Sequence, residues 1–127
     1  MNHSPDQAPA PPSEARKVAF VAYRQFNDPQ LRKLARSSHR LDASGLSFFQ
    51  GDTLPDRLAR SLAEAGAIRL KELLESFEFF ERTRRALRAP DLADLCCGHG
   101  LVGLLFAAFE RGVERVHLVD KRRPKLY

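Results

Sequence analysis

DLADLCCGHGLVGLLFAAFERGVERVHLVD, residues 91–120, is the stretch that decides the fold. Its first part, residues 92–97, is a short and mostly apolar run of the kind found in strands that are buried on both faces. The run ends at Gly98 and Gly100, and glycines permit positive φ angles and a close approach of backbone N–H groups to a ligand. The stretch therefore opens with a predicted strand and a tight glycine turn.

A helix and a second strand are predicted to follow. Residues 101–111 are apolar nearly all round, which indicates a buried crossover helix with Gly112 as its stop. Gly103 lies in its first turn, where a glycine allows a helix to pack tightly on a strand. Residues 116–119 form the second strand, and Asp120 stands at its carboxyl end, about 20 residues past the glycines, where an acidic side chain meets ribose hydroxyls. The fold class predicted is α/β, with a β-α-β unit.

The motif Asp94-Leu95-Cys96-Cys97-Gly98-His99-Gly100 resembles the first motif of class I S-adenosylmethionine-dependent methyltransferases. The resemblance implies an incomplete Rossmann-like methyltransferase fold with S-adenosylmethionine as cofactor. It also implies that Asp94, Gly98 and Gly100 form the cofactor turn and that Asp120 binds the ribose. Cys96 stands where the family usually has its first glycine. Its backbone is therefore expected to adopt a conformation that a side chain tolerates.

Two further residues complete the cofactor-binding set that the resemblance implies. His99 lies inside the glycine turn, so its ring is expected near the methionine end of the cofactor. Lys121 follows the ribose carboxylate and is expected beside the adenine. Neither residue is assigned a catalytic role, and the catalytic residues are expected beyond Tyr127.

The same glycines also fit a competing interpretation. Gly98, Gly100 and Gly103 with Asp120 downstream satisfy the dinucleotide fingerprint of NAD-binding domains. That fingerprint asks for no acidic residue in the first strand, where this chain has Asp94, and it usually opens its domain. The methyltransferase interpretation is therefore preferred, with NAD binding as the alternative.

The rest of the chain divides by composition. Residues 1–15 are rich in Pro and Ala and predict a disordered tail. Residues 16–90 predict a helical region, and residues 91–127 begin the S-adenosylmethionine-binding domain. Residues 18–26 fit either a strand or one helix face, and residues 37–51 predict a loop.

Three helices are predicted in the helical region. Asp28 precedes a proline and begins the first, and Thr53 begins the second, which Gly66 ends. The third and longest runs over residues 68–88, with Glu78–Arg82 and Glu81–Arg85 ion pairs on its exposed face, and Pro90 ends it.

The charge and cysteine content of the chain bear on its binding partners and its cellular compartment. The 21 Lys and Arg against 16 Asp and Glu leave a formal net charge of +5. This modest excess is compatible with an RNA acceptor, although solvated helix faces are the simpler explanation. The adjacent Cys96 and Cys97 suit neither a disulfide framework nor a metal site and are expected to be core residues in a reducing cytoplasm. No apolar run is long enough to cross a membrane, and no signal peptide is recognisable.

The sheet is expected to be incomplete. Tyr127 follows Asp120 by seven residues, which leaves no room for the remaining strands of a doubly wound sheet. The chain is therefore expected to be the N-terminal portion of a longer methyltransferase whose acceptor is undetermined. If the chain were complete, a non-catalytic interaction protein with its open sheet covered by a partner would be the better account.

Overall fold

The computed structural model describes residues 19–123, and within them the chain mixes helices with a two-stranded sheet. The predicted tail at residues 1–15 lies outside the described residues. The elements are α1 (Pro29–Arg36), α2 (Leu54–Ala65), α3 (Leu70–Thr83), β1 (Asp91–Leu95), α4 (Leu101–Phe109) and β2 (Arg115–Val119). Two short 3-10 helices span Arg24–Asn27 and Ala43–Phe48.

The first two helices begin and end where local sequence signals place them. The Asp28 carboxylate accepts the N–H of Gln30 at 2.9 Å and caps α1. Thr53 Oγ1 accepts the N–H of Asp56 at 3.3 Å and caps α2. Gly66 ends α2 in the left-handed conformation, with φ of 61°. These caps satisfy backbone groups that a helix end would otherwise leave unpaired.

The third helix is shorter than predicted. It ends at Thr83, whose carbonyl oxygen accepts the N–H groups of Ala86 and Leu87 in a closing turn. The Arg84 side chain instead forms an ion pair with Glu110, near the start of the α4–β2 connection. The pattern over residues 68–88 therefore begins two residues too early and extends five residues too far.

Of the two ion pairs predicted on α3, one forms as predicted and the other forms with a different partner. The predicted pair of Glu78 with Arg82 is present at 3.0 Å. Glu81 pairs with Arg84 at 3.6 Å, whereas the pair predicted with Arg85 does not form. Residues three and four apart are both neighbours on a helix, so sequence spacing alone does not select between them.

Two segments for which neither a helix nor a strand was assigned from the sequence each contain a 3-10 helix. The end of the ambiguous segment, Arg24–Asn27, is a 3-10 helix that buries Phe26. The predicted loop over residues 37–51 contains the second 3-10 helix, Ala43–Phe48. It also contributes Arg40 to an isolated antiparallel bridge with Arg69. Both segments are thus tied to the helical region by backbone hydrogen bonds or burial.

Aromatic side chains form the centre of the helical region. The Tyr23 ring packs edge-on against Phe49 and Phe77, with ring centroids 5.2 and 5.0 Å apart. Its hydroxyl donates to the carbonyl oxygen of Pro55 at 2.9 Å. Burial raises the pKa of Tyr23, and the carboxylate of Asp56 acts in the same direction. Tyr23 is therefore a neutral hydrogen-bond donor within the core.

The helical region and the β-α-β unit share one core. Phe80 of α3 packs edge-on against Phe106 of α4 at 5.0 Å between ring centroids. Leu101 and Leu105, one turn apart on α4, are buried in the same cluster. Helix α4 therefore lies between α3 and the sheet, and this packing positions the glycine turn that precedes it.

The sheet is parallel and is covered on one face only within residues 19–123. Asp91 pairs with Arg115 at one end and Leu95 with Val119 at the other. The face that includes Val116 contacts α4, whereas Leu95 is 69% exposed and Val119 is 48% exposed. The prediction of a first strand buried on both faces is therefore wrong, because the described residues supply a helix to one face alone.

Helix α4 also departs from its prediction. It ends at Phe109 rather than at residue 111, and Gly112 lies in the following turn. Ala107 and Ala108 are exposed, so the helix is not buried all round. Its apolar sequence leaves one side without a neighbour among the described residues.

Candidate functional site

The loop after β1 and the residue after β2 meet at the carboxyl edge of the sheet. In parallel strands these ends lie side by side, which is where open α/β sheets bind ligands. The backbone N–H of Gly98 donates to Asp120 Oδ2 at 2.8 Å. The N–H of Cys97 donates to the carbonyl oxygen of Val119 at 3.1 Å. The glycine turn is therefore docked onto the end of β2.

Three residues of the turn have left-handed backbones. Gly98 and Gly100 have φ of 56° and 85°, as their lack of a Cβ allows. Cys96 also has a positive φ, 56°, so the expectation that its backbone would suit a side chain is wrong. The chain turns sharply out of β1 at this point, and the turn geometry requires a glycine-like conformation whatever the residue.

The two adjacent cysteines have different surroundings. Cys96 is exposed, whereas Cys97 is buried. Burial raises the pKa of the Cys97 thiol, and the carboxylates of Asp94 and Asp120 act in the same direction. Cys97 is therefore the core residue that the sequence predicted, and Cys96 is not.

Asp94 lies on the sheet face that carries α4. Its Oδ2 accepts the N–H of Gly103, the third residue of α4, at 3.1 Å. A carboxylate at this end of a helix interacts favourably with the helix dipole. Gly103 sits so close to the strands that a Cβ would collide with the Leu118 side chain and would lie 3.1 Å from Val116 Cγ1. The structure thus ties the first strand to the start of the helix.

His99 caps the same helix from the turn. Its Nδ1 accepts the N–H of Leu101 at 3.1 Å. The sequence places His99 in the turn, but this contact with the start of α4 was not predicted. A polar side chain just before an apolar helix is the signal that predicts it.

Asp120 is exposed and ionised. Besides Gly98, the backbone N–H of Arg122 donates to its Oδ1 at 3.4 Å. These hydrogen bonds, that from Gly98 foremost, hold the pKa of Asp120 below its usual value of 3.8. Lys121 is exposed, and its backbone N–H also lowers the pKa of this carboxylate. Each Asp120 oxygen retains a lone pair for a ligand.

Several donors of the turn and of the start of α4 already have protein acceptors. Four N–H groups are occupied in this way, those of Gly98 by Asp120, Gly100 by the Cys97 carbonyl, Leu101 by His99 and Gly103 by Asp94. Two of these acceptors are carboxylates. These contacts leave fewer free N–H groups than a phosphate-binding helix N-terminus offers, and the two carboxylates bring negative charge to the site.

The last findings concern metal ligands, membrane-spanning helices and relatives of the chain. Within residues 19–123 no three His, Cys, Asp or Glu side chains are grouped as metal ligands. None of the helices in that part of the chain combines the length and apolar character needed to span a bilayer. No protein-family model, curated protein or solved structure matches the chain.

Proposed function

We propose that this chain carries the cofactor-binding part of a class I S-adenosylmethionine-dependent methyltransferase with a Rossmann-like domain. Three observations support the proposal. The motif around Asp94 resembles that of the family, the chain forms a parallel β-α-β unit, and Asp120 stands beside the glycine turn. The cofactor-binding set comprises Asp94, Cys96, Gly98, His99, Gly100, Asp120 and Lys121.

The negative charge at the turn is the observation that carries the proposal. Asp94 and Asp120 both accept N–H groups at positions where a dinucleotide would place its pyrophosphate. A pyrophosphate would lose those donors and would meet two carboxylates. S-adenosylmethionine has no phosphate, and its sulfonium and ammonium cations outnumber its one carboxylate, so its net charge is positive. Opposite charges attract at this site, so the sulfonium cofactor is favoured over NAD.

The residues present fit such a cofactor. Asp120 has free lone pairs that can accept ribose hydroxyls, and the space beside Gly98 is open where a Cβ would point. Asp94 and His99 act as positioning residues, because their acceptor atoms hold the start of α4.

When bound, S-adenosylmethionine supplies a methyl group that its sulfonium already activates. The protein's task is therefore to align the acceptor with that methyl group rather than to activate it. The described residues hold the cofactor. They supply no catalytic acid or base, and the transfer of an already activated methyl group requires none from them.

Titration calorimetry with the demethylated product, S-adenosylhomocysteine, tests the proposal. The whole protein should bind this probe and should not bind NAD. Asp120→Asn should weaken binding about tenfold or more, since a charge-assisted acceptor for the ribose is lost. Asp91→Asn is the matched control, because Asp91 lies at the opposite end of the sheet. Tighter binding of NAD, or equal affinities in the Asp120→Asn variant and wild type, would contradict the assignment.

An interaction role is the second candidate, and the uncovered sheet face favours it. Leu95 and Val119 are large apolar side chains that are about half exposed or more. Monomeric proteins seldom leave such side chains side by side on a sheet without a partner. This candidate gains weight if calorimetry finds neither S-adenosylhomocysteine nor NAD binding and sedimentation finds a stable complex.

A further inference from the structure

Four arginines gather at the edge of the sheet opposite the glycine turn. They are Arg84, Arg85 and Arg88, after α3, and Arg111, after α4, and are called the arginine surface below. Two clefts of about 400 and 590 Å³ open there, and Arg84 and Arg88 line both. This surface belongs to no part of the candidate cofactor site.

One arginine of the surface is held by protein groups. Arg84 Nε donates to the carboxylate of Glu110, and an Arg84 Nη lies 3.6 Å from the carboxylate of Glu81. Its guanidinium also lies over the Phe80 ring, 4.8 Å from the centroid. Arg84 is thereby fixed as the centre of the surface.

The other three arginines are uncompensated. Arg85, Arg88 and Arg111 are exposed, and their side chains have no ion pair or hydrogen bond within residues 19–123. Cations in the last turn of a helix offset its dipole, which is the simplest structural role for an arginine there. Arg88 lies five residues past the last residue of α3, too far for that role to account for it.

We propose that the arginine surface binds the phosphodiester backbone of a single-stranded nucleic acid. Guanidinium groups match phosphate oxygens with paired donors, and the three arginines without an ion pair, spread over two segments, suit a chain of phosphates rather than one anion. Two glutamates offset only part of the charge. The net charge of +5 adds a long-range attraction for polyanions.

This binding rests on the proposed function and makes a nucleic acid the class of its methyl acceptor. The strands between the two edges are five residues long, or roughly 15 Å. The arginine surface therefore anchors the nucleic acid at a distance from the proposed cofactor turn. It does not itself present the nucleotide that reacts.

Fluorescence anisotropy with labelled oligouridylate tests the inference on the full chain without cofactor. The triple variant Arg85→Ala/Arg88→Ala/Arg111→Ala should bind about tenfold more weakly or worse at moderate salt. Its log affinity should fall less steeply with log salt, by about 2 in slope, since three phosphate contacts of single-stranded nucleic acid are lost. Arg84 is kept in this variant because its ion pairs join α3 to the α4–β2 connection.

A matched control removes the same charge elsewhere. Arg24, Arg36 and Arg57 are exposed arginines outside the arginine surface, and their triple alanine variant should bind oligouridylate nearly as wild type does. Equal losses in the two triple variants would overturn the inference, as would the absence of binding in wild type. Tighter binding of a polyglutamate peptide than of oligouridylate would overturn it as well.

Two further measurements assign the source and separate the proposals. Preference for oligouridylate over oligodeoxythymidylate assigns the surface to RNA, and equal affinity assigns it to single-stranded nucleic acids in general. Both variants should retain wild-type affinity for S-adenosylhomocysteine. Oligouridylate binding without S-adenosylhomocysteine binding would overturn the proposed function alone, and the reverse result would overturn this inference alone.

Discussion

Replacing Cys96 by glycine is expected to stabilise the fold. Cys96 has φ of 56°, and a residue with a Cβ loses about 1–2 kcal/mol in the left-handed region. Glycine offsets about 0.4–1 kcal/mol of this stabilisation, because it has more conformational freedom than cysteine in the unfolded chain. The side chain is exposed, so its removal leaves no cavity. The net gain in the free energy of unfolding is about 1 kcal/mol.

Urea unfolding followed by circular dichroism measures this gain. With a typical dependence on urea, the midpoint should rise by about 0.5 M. Cys96→Ala keeps the Cβ and loses the thiol, so it should leave the midpoint almost unchanged. Cys97→Gly is the contrasting variant, because Cys97 is buried and has no positive φ, and it should lower the midpoint.

A stabilisation by Cys96→Ala as large as that by Cys96→Gly would refute the reasoning, because the gain would then come from loss of the thiol. A lower urea midpoint for Cys96→Gly would refute it too, since the left-handed backbone would then cost cysteine no conformational energy.

Two more outcomes are expected from the titrating groups of the turn. The carboxyl carbon of Asp120, followed by NMR, should titrate with a midpoint below 3.8, because the Gly98 N–H favours the ionised form. Its contribution to stability is then complete above that usual value and is lost as the pH falls through the lower folded pKa, so a midpoint at or above 3.8 would contradict the hydrogen bond. A thiol reagent at neutral pH should label the exposed Cys96 first and Cys97 slowly, because burial raises the pKa of Cys97. Rapid labelling that persists in Cys96→Ser would show that Cys97 is accessible.

Local signals determined the helix starts and the order of the elements. Asp28 and Thr53 cap α1 and α2 as their positions in the sequence predict, and Gly66 ends α2. Capping depends on a few neighbouring residues, so it can be read without knowledge of the fold. The succession of strand, glycine turn, helix and strand is local in the same sense. Strand β2 forms within one residue of its prediction, whereas β1 ends at Leu95, two residues before the predicted end at Cys97.

Contacts between distant residues decided what the sequence did not predict. Helix α3 ends at Thr83, and the next residue, Arg84, forms an ion pair with Glu110, 26 residues further along the chain. The roles of Asp94 and His99 as acceptors for the first turn of α4 depend on the angle at which that helix packs on β1.

The sequence by itself thus determined the local elements and the acidic and glycine residues of the candidate site. Only the tertiary structure decided that Gly98 and Asp120 meet, that Cys96 takes a glycine-like backbone and that residues 19–123 leave one face of the sheet open. The physical reason is that caps and turns depend on residues a few positions apart. Burial and charge pairing depend on which elements come together, and that is a property of the packed chain.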